Sequence, residues 1–310
     1  MRVVSLLPSA TEILCRIGGE DLLVGRSHEC DWPPQIKDRP VLTGQRTPSP
    51  TGIGASAEID QAVREALGAG KSANQSLYTL DADVLRNLRP DVILTQDLCD
   101  VCSIDLETVR AVAAKMNPSP TIISLDPKSI WDVLDDCLKV GDAIGRPQQA
   151  ERAMVEMREG WWTAVDHVNP FIEGPEVLFL EWMDPPFVGG HWTPEMIIAA
   201  GGRHSLNLAG AKSRVVSPEE IIEAAPQRII ICPCGYGLPA IRSEMATLRA
   251  QKWWPLLPAN MDGSGRVVMV DGNLMFNRPG PRLIDAFRWM TGWLNDRPEL
   301  IPDGFPVEHA

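Results

Sequence analysis

Short apolar runs alternate with amphipathic stretches along almost the whole chain, and that alternation leaves few architectures open. "RVVSLL" (2–7), "DLLVGRS" (21–27), "DVILTQ" (91–96) and "TIISL" (121–125) read as strands, as do "EVLFLEW", "QRIIICP" and "RVVMVDG" further on. Between them lie helical stretches. "SATEILCRIGG" has Ser9 and Glu12 at capping-box spacing and Gly18–Gly19 as a stop. "DADVLRNLRP" is another, with more from Ser103, from Ser129 to about Ile144, and near Pro194, Pro218 and Pro281. Strand–helix alternation is the mark of parallel sheets covered by helices.

The rhythm breaks twice. Residues 43–77 hold a Pro/Gly/Ser-rich loop and a helical patch, read as an excursion on the first lobe. A single helix then opens at Pro147 and runs to about Val168. At ~1.5 Å per residue it would cross a whole domain. The expected fold is therefore two doubly wound parallel-sheet α/β lobes, 1–146 and 169–310, joined by a backbone helix at 147–168. Loops at the carboxyl ends of both sheets are expected to face a shared cleft.

At 310 residues the chain can bury two cores. A formal charge of −12 argues against nucleic acid and anionic lipid as partners. No apolar run approaches a membrane span. "MRVVSLLPSATEIL" shows no secretory signal, and seven cysteines fit a reducing compartment, so a cytoplasmic protein is expected, or a periplasmic one whose signal has been trimmed. No GxSxG elbow, HExxH pair or Walker loop occurs, which favours a binding protein over an enzyme.

The post-strand loops would carry the site. The first lobe supplies Ser9, His28, Glu29 and Trp32; the second supplies Trp182, Phe187, His191, Trp192, Tyr236, Met275 and Phe276. Flat indole and phenyl faces suit a large planar ligand, and a neutral imidazole suits an axial position on cobalt or iron. Cys30, Cys99, Cys102, Cys232 and Cys234 fall in the same loops, whereas Cys15 and Cys137 fall in helices as core residues. Cys99-x-x-Cys102 is the spacing of a zinc half-site, and thiolate sets also hold iron–sulfur clusters. A redox pair and a set of merely small loop residues remain open beside them. Trp161, Trp162, Trp253, Trp254, Trp289 and Trp293 read as packing residues.

Several segments, in order, resemble one family: "RVVSLLPSATE", "HECDWPPQ", "LRNLRPDVILT", "EWMDPPFVGG" followed by "IIAAGG", "VSPEEIIEAAPQRIII" and "FNRPGPRLIDA". Together the chain resembles the class III, helical-backbone substrate-binding proteins of ABC transporters, in their cobalamin and ferric-siderophore branch. The resemblance implies a corrinoid or related metal-bearing ligand. It also implies a docking acid on each lobe for the membrane transporter. Asp83 holds the first of these positions, but the second falls on neutral Asn277, and the aromatic flanking the ligand in the last loop falls on Met275.

Overall fold

The computed structural model describes residues 1–46, 52, 54–68, 77–97, 104–261 and 266–310. These form two compact units. The first holds β1 (Val3–Ser5), α1 (Pro8–Arg16), β2 (Leu23–Arg26), β3 (Thr43–Gln45), α2 (Ala55–Gly68), β4 (Tyr78–Leu80), α3 (Ala82–Leu88), β5 (Val92–Gln96), α4 (Leu106–Ala113), β6 (Thr121–Leu125) and most of α5 (Ile130–Ala143). Residues 54–60, the start of α2, are the exception and belong with the second unit, although the whole excursion was expected on the first lobe.

The first sheet has the order β2-β1-β5-β6, with every pairing parallel. β1 and β5 are buried along their whole length, as strands covered on both faces must be. The chain leaves β1 for one edge and returns past it to β5. Strand order therefore reverses between them, where open α/β sheets take their ligands. β3 and β4 pair as a separate antiparallel ribbon.

The unit boundary falls inside α6 (Pro147–Val165), between Met157 and Arg158, so one helix runs from lobe to lobe. The second unit continues with β7 (Val177–Trp182), β8 (Phe187–Val188), α7 (Thr193–Ala199), β9 (Arg214–Val215), α8 (Pro218–Ala224), β10 (Arg228–Ile231), α9 (Leu238–Arg249), β11 (Val267–Val270), α10 (Leu283–Leu294) and β12 (Val307–His309). Its sheet runs β12-β11-β10-β7-β8-β9. β11, β10 and β7 form the parallel core, and β12, β8 and β9 extend it antiparallel at both edges. The core between sheet and helices includes Leu178, Leu180, Ile229, Ile231, Ile241 and Leu248.

Two helix starts differ from expectation. α1 begins on Pro8 with Leu7 as its uncapped N-cap, so Ser9 and Glu12 lie buried within the helix instead of boxing its end. Proline fits the first turn because no amide is needed there. α4 begins at Leu106, not Ser103, capped by Asp105, whose carboxylate accepts from the Thr108 amide at 2.8 Å. Ser103 lies outside the described residues, and so do Cys99 and Cys102. Among the described residues, no helix is long and apolar enough to cross a membrane.

Candidate functional site

In the first unit the loop after β2 is built on Arg26. Its guanidinium donates to the carbonyls of Ser27 (3.1 Å), Cys30 (3.0 Å) and Lys37 (3.0 Å), pinning residues 27–37 against the strand end. On that loop the His28 amide donates to Thr43 Oγ1 at 3.1 Å, and His28 Nδ1 lies 2.7 Å from the same hydroxyl. Thr43 passes its own proton to Ser27 Oγ at 2.9 Å. A hydroxyl has one proton, so Thr43 accepts from Nδ1–H, and Nε2 is left with its lone pair. Nε2 is covered and has no hydrogen-bond partner among the described residues; Glu29 Oε1 stands 4.0 Å away. Tyr78 donates to Glu29 at 3.2 Å, and its ring lies 5.6 Å from the imidazole. Burial, then the charge of Arg26, pushes the His28 pKa down, so the ring is neutral at neutral pH.

The neighbouring candidates differ. Trp32 is 46% exposed. Ser9 is buried inside α1. Cys30, expected as a metal ligand, is 1% exposed, with its sulfur 3.1 Å from Thr11 Oγ1. It packs as a core residue, the role small apolar thiols usually take.

In the second unit β7 ends on Glu181 and Trp182. Glu181 accepts from Ser213 Oγ at 2.8 Å and from the Gly190 amide at 3.4 Å, yet burial holds its carboxyl above the usual range. Gly190 is required here, because a Cβ would stand 2.3 Å from the Ser213 amide nitrogen. The Trp182 indole donates to the Ser56 carbonyl at 3.2 Å and meets Tyr236 edge-on, ring centres 5.3 Å apart. Phe187 and His191 are half-buried, and His191 adopts φ +52°.

Three aromatic or thioether candidates are core residues instead. Trp192 is 5% exposed and donates to the Phe276 carbonyl at 2.8 Å. Phe276 is 1% exposed and packs edge-on against Phe179 and Trp289. Met275 is 8% exposed. Phe276 turns inward because the loop takes φ +42° there, a local bend that loop composition does not reveal. Cys232 is fully buried, and burial, then its neighbour Cys234, holds the thiol well above its usual pKa, so it stays protonated. Cys234 is half-buried. Among the described residues, no three His, Cys, Asp or Glu side chains are grouped to hold a metal ion. Zinc and iron–sulfur readings thus find no support in the described thiols. Among the packing tryptophans, Trp161 stacks on Phe287 at 3.7 Å, but Trp162 is half-exposed.

Sequence reasoning missed Thr43, Ser27 and Tyr78, which orient His28, and Ser56, which meets Trp182. Their partners lie far along the chain (Trp182 is 126 residues from Ser56), so no local pattern marks them.

No family model matches the chain. A vitamin B12-binding protein of Photorhabdus laumondii is 23% identical over 299 residues, covering 96% of this chain and 88% of that protein. Among solved structures, the periplasmic heme-binding protein RhuT of Roseiflexus sp. RS-1 in apo form superposes with TM-score 0.70 at 24% identity, covering 96% of this chain and 98% of that one. The periplasmic vitamin B12-binding protein BtuF of Vibrio cholerae gives TM-score 0.67 at 20% identity, covering 96% and 98%. This chain has the fold of the periplasmic heme- and vitamin B12-binding proteins. The resemblance read from the sequence is borne out, and with it the α/β architecture of two lobes joined by one helix.

The two positions at which the resemblance implied a docking acid differ in this structure. Asp83 is 87% exposed at the start of α3 and pairs with Arg86 at 2.5 Å. Asn277 is turned inward: its amide donates to the carbonyls of Cys232 at 2.9 Å and Gly272 at 3.0 Å. It braces the β10 loop against the β11 loop, a task that needs two N–H donors and that a carboxylate could not perform.

Proposed function

We propose that this protein is a receptor for a metal-bearing tetrapyrrole, a corrinoid or a haem, and that His28 offers its neutral imidazole to the metal. Two independent lines support this reading. The relatives named for vitamin B12 and heme span nearly the full chain. The Thr43–Ser27 relay fixes the one tautomer of His28 whose Nε2 can donate an electron pair. A swing of the half-exposed Glu29 side chain, which stands across Nε2, would uncover it. Trp32, on the same loop as His28 and 46% exposed, supplies a flat face such a ligand needs. The receptor would act outside the cytoplasm with an ABC transporter, meeting it through exposed Asp83 and not through Asn277. A cytoplasmic setting was expected from the N-terminal sequence, but the named neighbours are periplasmic and lend it no support.

The test is a pair of titrations followed by visible absorption. Cyanocobalamin or hemin should bind the wild-type protein with a shifted spectrum. His28→Ala should keep binding but lose the axial component of the shift, with affinity down roughly tenfold, the scale of one lost metal ligand or its positioning partner. No spectral change with either compound would refute the reading.

A further inference from the structure

α1 starts without a cap. Its N-cap position falls on Leu7, whose side chain has no oxygen to offer, and Pro8 takes the first helical position. The next two amides, of Ser9 and Ala10, are the leftover donors of the helix, and neither gives a hydrogen bond among the described residues. Both residues are buried, at 3% and 0% exposure. Backbone N–H groups that lose water without gaining a partner are rare and costly.

A third donor stands beside them. Ser9 Oγ has no hydrogen-bond partner among the described residues, yet it is not fully covered. Helical side chains lean back toward the N-terminus of their helix, so this hydroxyl is aimed at the end where the two amides are free. The first turn of α1 follows β1, next to the point where strand order reverses, and so opens at the carboxyl end of the sheet. The His28 loop borders it. The Ser27 amide donates to the Ser5 carbonyl at 2.9 Å, and the Cys30 sulfur lies 3.1 Å from the Thr11 hydroxyl on α1. All of these residues belong to the first unit.

Two amides, one hydroxyl and the positive end of a helix dipole suit an anion. A carboxylate fits them well, since it only accepts and has two oxygens to share among three donors. An amide carbonyl would gain neutral hydrogen bonds, roughly half as strong. We propose that the first turn of α1 holds a carboxylate on the rim of the tetrapyrrole, with Ser9 Oγ and the amides of Ser9 and Ala10 as its donors. The proposal rests on the tetrapyrrole reading above and narrows it. A ligand with free propionates, such as a haem, is preferred to a corrinoid whose acid groups are amidated. The formal charge of −12 opposes such a ligand at a distance, whereas these donors act at contact.

Visible titrations with hemin and with hemin dimethyl ester test this, because the ester keeps the ring and the iron and removes both carboxylates. The wild-type protein should bind hemin about tenfold more tightly than the ester, the scale of one set of charge-assisted hydrogen bonds. Ser9→Ala takes away one donor and should cut that ratio severalfold. Ser9→Asp sets a carboxylate of the chain's own on the amides and should bring the ratio to about one. Equal affinities in the wild type, or a ratio that Ser9→Ala leaves unchanged, overturns the proposal. If Ser9→Asp loses its fold by circular dichroism, Ser9→Ala decides. If neither hemin nor the ester binds, the tetrapyrrole reading falls, and the subsite is decided on the ligand-free protein. Sodium propionate should then shift the amide resonances of Ser9 and Ala10 saturably, while sodium chloride at equal ionic strength should not. The absence of a propionate-dependent shift at those two amides overturns the subsite as well.

Discussion

At single residues, burial decides what a loop position can do. Cys30, Cys232 and Phe276 stand in loops that could serve a ligand, yet each side chain turns into its own core. Asn277 shows the same logic from the polar side. Asn277→Asp keeps the shape but sets a carboxylate against the carbonyls of Cys232 and Gly272. Two lost donors and a new repulsion should cost about 2–3 kcal/mol, measured as a lower urea midpoint with unchanged slope. Asp136 is a case in which pH reads burial. Its side chain is fully buried beside Lys139, and burial raises its pKa from 3.8 to about 6 despite the Lys139 bond. The folded state therefore holds a proton that the unfolded state has released, so stability falls as pH rises from about 4 to about 6 and stays lowered above that. At ~1.4 kcal/mol per pKa unit the loss is about 3 kcal/mol. Asp136→Asn should flatten that pH profile and match or exceed wild-type thermal stability at pH 7.5, while losing the advantage near pH 4.

Among the elements, the α8 start shows how far sequence signals reach. Ser217 accepts from the Glu220 amide at 3.2 Å, Glu220 answers to the Ser217 amide at 2.8 Å, and Pro218 fills the first helical position. Ser217→Ala should cost about 1 kcal/mol, seen as a thermal midpoint lowered by a few degrees. The same signal misleads at α1, where Ser9 and Glu12 have box spacing but the helix starts at Pro8, two residues too early for Ser9 to be its N-cap. Parallel strands and long helices were legible because their apolar periodicity runs over many residues. β8 and β9, at two residues each, carry no period to read, and they pair only because β7 offers an edge. Of the site, the loop carrying His28 and Trp32 could be read from strand ends alone. The Thr43–Ser27 relay and the Ser56–Glu244 contact could not, since their partners lie 16 and 188 residues apart and meet only through tertiary packing.

Across the whole molecule, charge separates the two ligand classes proposed for this protein. The chain carries a formal −12, so its net field repels anions at distances beyond contact. Hemin bears two propionate groups, whereas cyanocobalamin has no net charge. Raising ionic strength from about 0.01 M to about 0.15 M shortens the screening length from ~30 Å to ~8 Å and removes most of that long-range repulsion. Association of dilute hemin should therefore quicken severalfold over this range, while the cyanocobalamin rate stays flat, and stopped-flow rates at four or five salt concentrations resolve the difference. A hemin rate that falls with salt would mean that a local basic patch, and not the net field, meets the propionates. That outcome would favour haem as the natural cargo, because a protein this acidic would have concentrated positive charge where an anionic ligand arrives. A flat response for both ligands would place the slow step after encounter, in a rearrangement of the bound complex that the net field does not reach.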